Sequence, residues 1–355
     1  MLRLKNLVLL NNYINPKYQS KLKKRKSRSV KTLFSRLIHG DKVALSQAIT
    51  LIESEQQKHQ KTVDELITSC LPHSGQSIRI GITGVPGVGK STFIEAFGKT
   101  LIQEGKQVAV LAVDPTSSVS KGSILGDKTR MQGLVKEKNA YISPTASGSS
   151  LGGVARKTRE SIILCEATGY DVILVETVGV GQSETAVHSM TDFFLLLKLA
   201  GAGDELQGMK RGIIEMADAI LINKADGENQ KAAKKAQMEF KRALHLYPEK
   251  NSQWIPKVKC ISSINNKGIT EIWDMIKAYQ KSTIENGFFN QNRFEQQKFW
   301  LFDSLNQKLK QNFYDHPKLK SKLKIYLDKI EQQEISSFKV ADQLYQYYLD
   351  SIKEK

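Results

Sequence analysis

The sequence has few cysteines, and none of its apolar runs approaches the length of a membrane span. Cys70, Cys165 and Cys260 are widely spaced and odd in number, which argues against a disulfide framework and for a reducing compartment. The longest apolar stretches are far shorter than the roughly 20 residues that cross a bilayer. With 355 residues, 40% hydrophobic and 25% charged, the composition is typical of a soluble globular protein with one large core and a smaller appendage.

Acidic residues are absent from the first 40 positions, which contain eleven Lys and Arg. These positions carry +11 of the formal net charge of +17, so the other 315 residues carry only +6. This distribution argues against a nucleic-acid-binding domain, because the excess is concentrated in the tail at residues 1–30, above all in KLKKRKSR (21–28). Such a tail is typically solvated. Binding of an acidic partner and a transit peptide are the alternatives, and the shortage of arginine argues against a transit peptide.

Residues 31–75 are predicted to form an N-terminal helical segment, broken at Gly40. Its apolar residues recur at mostly helical spacing: Leu33, Leu37, Val43, Leu45, Ile49 and Ile52. The pattern changes from residue 76 to residue 282, where short apolar runs alternate with loops and helical patterns. The runs are IRIGIT, QVAVLAV, DVILVET, FFLLLKL, AILIN and VKCIS. Continuous apolar strands that alternate with helices predict a mostly parallel sheet covered by helices, an α/β fold.

Residues 283–355 are predicted to be helical. Phe302, Leu305, Leu309 and Phe313 form one apolar stripe, and a second stripe follows Pro317 with Leu319, Leu323, Leu327 and Ile330. An apolar stripe of this kind indicates either internal core or a contact with a partner.

GVPGVGKS, residues 84–91, matches the P-loop pattern G-x-x-x-x-G-K-[ST] and lies between a predicted strand and a predicted helix. The glycines let backbone N–H groups surround phosphate oxygens, and the helix N-terminus adds positive potential. Lys90 is predicted to act on the β- and γ-phosphates and Ser91 to bind Mg²⁺. The alternative is a glycine-rich turn without a ligand, which the flanking strand and helix argue against. The predicted phosphate-binding residues are Gly84, Val85, Pro86, Gly87, Val88, Gly89, Lys90, Ser91 and Thr92.

Three carboxylates stand where strand ends or loops would bring hard oxygen ligands to a magnesium ion. Asp114 ends one strand, Asp127 lies in GSILGD, and Glu176 occupies the position of a Walker-B carboxylate. Gly179 follows three residues later and is predicted to donate its N–H to the γ-phosphate. A single acid after a strand is usually a cap or turn residue, but the P-loop provides an independent reason for a metal here.

NKAD, residues 223–226, ends the strand AILIN and predicts guanine recognition. Asn223 can contact the major-groove edge of the base, and Lys224 can pack its stem along the ring. Asp226 can accept hydrogen bonds from the N1–H and the N2 amino group of guanine. Adenine lacks both donors, so this carboxylate should discriminate strongly between the two bases. CISSINNKGI then places Ser262, Ser263 and Ile264 at a further strand end as a second wall of the pocket, with an ordinary turn as the alternative.

Together these motifs resemble the MeaB-type GTPases, which chaperone adenosylcobalamin-dependent methylmalonyl-CoA mutase and were earlier labelled as ArgK-type amino-acid-transport kinases. The resemblance extends over roughly residues 38–275. It is carried by GDKVALSQAITLIES, GITGVPGVGKSTFIE, VAVLAVDPTSS, GSILGDKTRM, GYDVILVETVGVGQSE, AGAGDELQGMKRGIIEMAD and INKAD. It implies a P-loop NTPase fold, GTP or GDP with Mg²⁺, and GTP hydrolysis that gates cofactor loading or protects the mutase. For residues 283–355 it implies a homodimerisation region.

The resemblance also implies a role for GAGDELQGMKRG, residues 201–212, as a third switch loop. Its Asp204, Gln207 and Lys210 match positions that couple the nucleotide state to the mutase. Gln207 and Lys210, with Lys90, are therefore the predicted catalytic residues. The alternative is a polar loop that caps the following helix.

Two other functions are compatible with a P-loop: a metabolic kinase or ATPase of the amino-acid-transport type, and a nucleic-acid-associated GTPase. NKAD argues against an ATP-using kinase, and the small charge excess outside the tail argues against nucleic acid. The expected partner is therefore methylmalonyl-CoA mutase or a related cobalamin-dependent acyl-CoA mutase, with no membrane contact. The cytoplasm is the expected compartment, and the mitochondrial matrix is the alternative.

Overall fold

A computed structural model describes residues 29–54, 56–113, 131–143, 151–177, 183–201 and 211–353 of the chain. The described residues fall into two compact units. The first contains the described residues up to Glu249 together with Ile255–Lys277, and the second contains Lys250–Trp254 and the residues from Ala278 onward. No helix within the described ranges is long and apolar enough to cross a membrane.

Three helices precede the sheet: α1 (Val30–Ile38), α2 (Lys42–Glu53) and α3 (Gln57–Cys70), with a short 3₁₀ turn at Leu71–His73. The predicted break at Gly40 is present, since this residue has φ +77°. Asp41 then caps α2, accepting from the backbone N–H groups of Val43 and Ala44 at 2.8 and 3.0 Å. The apolar faces of these helices are buried within the first unit, where Leu37, Leu45 and Ala48 are fully enclosed.

Seven parallel strands form one sheet in the order β3-β2-β4-β1-β5-β6-β7. The strands are β1 (Ile78–Gly84), β2 (Val108–Val113), β3 (Ala140–Ile142), β4 (Val172–Thr177), β5 (Phe193–Leu199), β6 (Ala219–Asn223) and β7 (Lys257–Cys260). β1, β2, β4 and β6 are buried along their whole length. This explains why they read as continuous apolar runs, since helices cover both faces of a parallel sheet.

The remaining helices of the described chain connect these strands or follow them. They are α4 (Lys90–Gln103), α5 (Gln132–Val135), α6 (Leu151–Ala167), α7 (Ser183–His188), α8 (Arg211–Met216), α9 (Gln230–Leu244), α10 (Thr270–Glu285), α11 (Phe288–Tyr314), α12 (Pro317–Glu331) and α13 (Ser337–Lys353). A 3₁₀ turn at Gly227–Asn229 precedes α9. The predicted α/β fold with a mostly parallel sheet is confirmed, as are all six predicted strands. β3 was not predicted, because its three residues, Ala140–Ile142, are too few to form a recognisable pattern.

Aspartates placed just before three strands extend the hydrogen bonding of the sheet at its amino-terminal edge. Asp192, before β5, accepts from the N–H of Arg79 at 2.8 Å. Asp218, before β6, accepts from Phe194 at 2.9 Å, and Asp171, before β4, accepts from Gln107 at 2.7 Å. Each carboxylate pairs a backbone donor of the neighbouring strand or its entry, so these aspartates help to fix the register.

A buried ion pair connects β1 to α6 at the same edge. Arg79 donates from Nε and Nη2 to the two carboxylate oxygens of Glu166 at 2.8 and 3.0 Å. Ser77 Oγ and the N–H of Gly75 donate to the same carboxylate at 2.7 and 2.8 Å. Burial alone would raise the pKa of Glu166, but the charge of Arg79 and these four hydrogen bonds outweigh it and hold the pKa below its usual value.

The second unit is helical and consists mainly of the end of α10 with α11, α12 and α13. Trp254 packs edge-on against Tyr279 with ring centroids 5.4 Å apart. The rings of Phe313 on α11 and Tyr348 on α13 pack with their centroids 5.0 Å apart. The Nζ of Lys322 on α12 lies 3.7 Å from the ring centroid of Tyr347. The predicted domain limits, residues 31–75, 76–282 and 283–355, stay predictions.

Glu166→Gln should lower the free energy of unfolding at neutral pH by about 3–5 kcal/mol, because Arg79 would keep a buried charge without its counter-charge. Since the folded-state pKa of Glu166 is depressed, the stabilisation is present at neutral pH and is lost as pH falls below about 4.3 through the folded-state value. Urea denaturation of both proteins from pH 7 to pH 3 measures this, and the gap should narrow with acidification.

Asp274→Asn is the matched control, because its ion pair with Lys277 is exposed. It should change the stability far less than Glu166→Gln does, because solvent screens an exposed pair. Equal effects of the two substitutions would contradict the structural role of the buried pair.

Candidate nucleotide-binding site

The predicted P-loop lies between β1 and α4 at the carboxyl edge of the sheet. Gly84, Gly87 and Gly89 have φ values of +153°, +80° and +94°. Gly84 also has no room for a side chain, since a Cβ would lie 2.6 Å from the carbonyl oxygen of Leu197. α4 begins at Lys90, so the first N–H groups of the helix face the loop and can bind an anion. Of the other predicted residues, Val88 is buried, Val85 and Ser91 are partly buried, and Pro86 and Thr92 are exposed.

The Lys90 side chain turns back over the loop and is almost fully buried. Its Nζ donates to the carbonyl oxygen of Gly84 at 2.7 Å. Burial lowers the pKa of Lys90, while the charges of Glu176 and Glu184 act in the opposite direction. The ammonium group is therefore already desolvated and held at the loop that its ligand would occupy.

Two residues of the guanine motif hold the P-loop directly. Asn223 Nδ2 donates to the carbonyl oxygen of Val88 at 2.9 Å, and Lys224 Nζ donates to that of Gly87 at 2.9 Å. Lys224 adopts φ +58°, which is uncommon for a residue with a side chain. A Cβ on Gly89 would lie 2.7 Å from Asn223 Nδ2. NKAD and the P-loop therefore form one hydrogen-bonded unit.

The serines after β7 hold the guanine motif from its other side. Asn223 Oδ1 accepts from the N–H and Oγ of Ser263 at 3.3 and 2.8 Å. Ser262 is fully buried and its Oγ donates to Asp226 Oδ2. The structure thus brings Ser262 and Ser263 to the motif, where they orient Asn223 and Asp226. The third predicted residue, Ile264, is 74% exposed.

Two of the four predicted metal ligands fall within the described residues. Glu176 is buried near the carboxyl end of β4, opposite Ile82 of β1. Ser91 lies in the first turn of α4. Both offer hard oxygen atoms near the phosphate loop, and this donor chemistry fits Mg²⁺. In the described part of the chain, no group of three His, Cys, Asp or Glu residues could hold a metal.

Several predicted residues lie outside the described ranges. They are the ligands Asp114 and Asp127, the switch residue Gly179, and Gln207 and Lys210 of the third loop. The structure does describe the flanks of that loop. β5 pairs with β1 and β6, so Leu197 lies opposite Gly84 and Leu199 lies opposite Asn223. The chain therefore enters residues 202–210 beside both halves of the candidate site.

The structure adds two features that the sequence did not reveal. Glu184, at the start of α7, is 3% exposed, and its charge acts on Lys90. Thr177 Oγ1 donates to Thr83 Oγ1 at 3.0 Å, so the last residue of β4 is bonded to the strand that leads into the P-loop. An acid in the first turn of a helix and a threonine in a strand are common, so no sequence signal distinguished either residue.

Comparison with known proteins identifies the family of the chain. The family model described as "Methylmalonyl Co-A mutase-associated GTPase MeaB" matches residues 45–318. A protein of Escherichia coli named GTPase ArgK is 48% identical over 266 residues, which are 75% of this chain and 80% of that protein.

Two further relatives cover more of the chain. A mouse protein named "Methylmalonic aciduria type A homolog, mitochondrial" is 42% identical over 333 residues, 91% of this chain and 80% of that one. A solved structure described as a LAO/AO transport system kinase is 34% identical with a TM-score of 0.72, covering 91% of this chain and 99% of the other.

Asn223→Ala should destabilise the fold more than a typical exposed substitution does. It would leave the buried Val88 carbonyl and the Ser263 N–H without a partner, at about 1–3 kcal/mol for each group. Asn229→Ala is the control, because the Asn229 side chain makes an exposed hydrogen bond, to the carbonyl oxygen of Lys224 at 2.8 Å. Urea denaturation of both variants checks this, and a smaller loss for Asn223→Ala than for Asn229→Ala would be inconsistent with the geometry.

Proposed function

The chain belongs to the MeaB family of GTPases, and we propose that it hydrolyses GTP as a chaperone of adenosylcobalamin-dependent methylmalonyl-CoA mutase or a related acyl-CoA mutase. In this role it gates cofactor loading or protects the mutase. The observation that carries the proposal is the hydrogen-bonded unit of P-loop and guanine motif. A site of this kind senses the base and the phosphates together.

Base selection follows from Asp226. Ser262 donates to one oxygen of its carboxylate, which fixes the orientation of the group. The carboxylate can accept from the two donors on the Watson–Crick edge of guanine. Adenine offers no matching pair of donors, so ATP would leave the carboxylate without partners.

Phosphate binding requires Lys90 to exchange its contact with Gly84 for contacts with the β- and γ-phosphates. Because the ammonium is already buried, little further desolvation opposes this exchange, and charge-assisted bonds in a dry site are strong. Ser91 and Glu176 would hold Mg²⁺, joined by Asp114 and Asp127. The ion would neutralise charge on the phosphate oxygens.

The hydrolysis rate is proposed to be low until the client binds. Val180 follows the switch glycine, Gly179, where many GTPases have a glutamine that orients the attacking water, and valine cannot hydrogen-bond water. Residues 201–212 offer Gln207 as an amide for that water and Lys210 as a cation for the developing charge. The chain enters this segment beside Gly84 and Asn223, within reach of the phosphates.

The mutase is proposed as client because the matching family model is described by its association with that enzyme. The name of the mouse relative refers to methylmalonic aciduria. A kinase of the amino-acid-transport type is the second candidate, since the solved relative is described as a LAO/AO transport system kinase. The guanine motif argues against it, because a kinase that uses ATP has no need of a carboxylate for N1–H and N2.

A homodimer through the second unit is also proposed. α11 leaves a row of large apolar side chains exposed, a pattern typical of an interface. Phe302 is 58%, Leu305 is 46% and Leu309 is 64% exposed. These residues belong to the first stripe seen in the sequence, whereas Leu319 of the second stripe is buried.

A cytoplasmic location is proposed because all three cysteines are free, which fits a reducing compartment. The mitochondrial matrix is the alternative, since the mouse relative is mitochondrial by name.

Asp226→Asn should weaken GTP binding roughly 100-fold, about 3 kcal/mol, and should raise the affinity for xanthosine triphosphate, whose 2-oxo group needs a donor. The amide keeps the size of the carboxylate and still accepts from Ser262. Calorimetry with both nucleotides measures the change. Unaltered GTP affinity would show that Asp226 does not bind the guanine base.

Gln207→Ala and Lys210→Ala should leave basal GTP turnover nearly unchanged and abolish most of the stimulation by the mutase. The reason is that these side chains complete the site only in the complex. Turnover assays with and without purified mutase check this. Full stimulation of both variants would show that residues 201–212 only connect β5 to α8 and take no part in stimulated hydrolysis.

Leu305→Glu combined with Leu309→Glu should convert the dimer to a monomer, because two charges would enter the apolar contact of each copy. Sedimentation at micromolar concentration measures the mass. Leu246→Glu, at a residue of the first unit that is 86% exposed, should have no effect. A monomeric wild-type protein would refute the proposed dimer.

A further inference from the structure

Helix α9 and strand β7 carry a clear excess of positive charge. α9 has five cations, Lys231, Lys234, Lys235, Lys241 and Arg242, and one carboxylate, Glu239, all of them exposed. β7 adds the exposed Lys257 and Lys259. Their sum is +6, the same as the net charge of all residues after position 40, so the rest of that region is neutral.

These two elements form one continuous surface, which we call the α9–β7 surface. Gln237 Nε2 donates to the carbonyl oxygen of Val258 at 2.8 Å, and Cys260 Sγ contacts the carbonyl oxygen of Ala233 at 3.4 Å. Burial raises the pKa of the Cys260 thiol, but the charges of Lys234 and Lys241 act to lower it, which places both lysines beside the strand. β7 is also the last strand of the sheet.

Three lysines of α9 have no counter-charge among the described residues. Across the residues that the structure describes, no carboxylate forms an ion pair with Lys234, Lys235 or Lys241. The neighbouring lysines on one helix repel one another. An acidic partner bound to this surface would reduce that electrostatic repulsion.

The character of the surface distinguishes between acidic partners. The apolar face of α9, with Ala233, Ala236 and Phe240, is buried in the core against Val258, so the helix has no apolar face to insert into a membrane. Neither α9 nor β7 exposes an aromatic ring for base stacking, and six of the seven cations are lysines, which lack the planar fork of arginine. The exposed Met238 instead provides an adaptable apolar contact among the charges, as protein interfaces do.

We propose that the α9–β7 surface docks an acidic surface of the client protein, with its lysines steering the encounter and Met238 contacting the partner. This assignment rests on the proposed function in taking the mutase as the client. The α9–β7 surface is connected directly to the predicted base pocket. α9 follows Asp226 through the turn Gly227–Asn229, and β7 leads into Ser262 and Ser263. A client docked here would contact the helix that follows Asp226 and the strand that precedes Ser262 and would leave the phosphate edge open to the switch segments.

The test compares two charge-reversal variants that change the net charge equally. One combines Lys234→Glu with Lys241→Glu, and the control combines Lys58→Glu with Lys61→Glu on α3, where both lysines are exposed. Association with purified methylmalonyl-CoA mutase is followed by stopped flow at ~50 and ~500 mM salt, between which the screening length changes about threefold. Thermal unfolding and GDP affinity of both variants confirm that they are folded.

The Lys234/Lys241 variant should associate at least ~10-fold more slowly at low salt, with a smaller difference at high salt, while the Lys58/Lys61 variant follows the wild type. Equal association by the two variants would overturn the docking surface and leave the proposed function intact. No binding of mutase by the wild type would contradict both. Duplex DNA and phosphatidylserine vesicles are tested as alternative ligands. If either binds the wild type but not the Lys234/Lys241 variant, and the mutase binds both proteins equally, the surface binds nucleic acid or membrane and not the mutase.

Discussion

The two hydrogen-bonding ends of the Asn223 side chain are the constraint on which the nucleotide site depends. Its amide nitrogen holds the carbonyl of Val88 in the P-loop, and its oxygen receives two bonds from Ser263 after β7. Because the residue is 1% exposed, neither end has water as an alternative partner. One side chain therefore sets the spacing between the phosphate loop, the base motif and the second pocket segment.

The stabilising polar contacts and the candidate site residues lie at opposite edges of the sheet. The amino-terminal edge contains the strand-capping aspartates, which join β1 to β5 and β5 to β6, and the buried Arg79–Glu166 pair, which joins β1 to α6. The carboxyl edge contains the P-loop, Glu176 and the guanine motif, as expected for ligands of open α/β sheets. Lys90 lies on this edge in a desolvated position that a bound anion would stabilise.

Much of this arrangement could be predicted from the sequence, because it depends on local patterns. The strand, glycine loop and helix around Lys90 follow from residues 78–103 alone, and six strands follow from their apolar runs. The bonds from Asn223 and Lys224 to the loop join residues some 135 positions apart, and no local pattern encodes them. β3 escaped prediction because three residues are too few for a period, and the orienting role of Ser262 depends on where the fold brings Asp226. Gly179, Gln207 and Lys210 lie outside the described residues, so their roles still rest on sequence.

The central claim to test is that the site recognises guanine and that its contacts to the base and to the phosphates are coupled. The most direct test is the affinity of the wild-type protein for GTP and for ATP in the presence of Mg²⁺, measured by calorimetry under identical conditions. A buried carboxylate that requires two donors should favour GTP by at least ~100-fold. Equal affinities for the two nucleotides would contradict the assignment of Asn223, Asp226 and Ser262 to a guanine pocket.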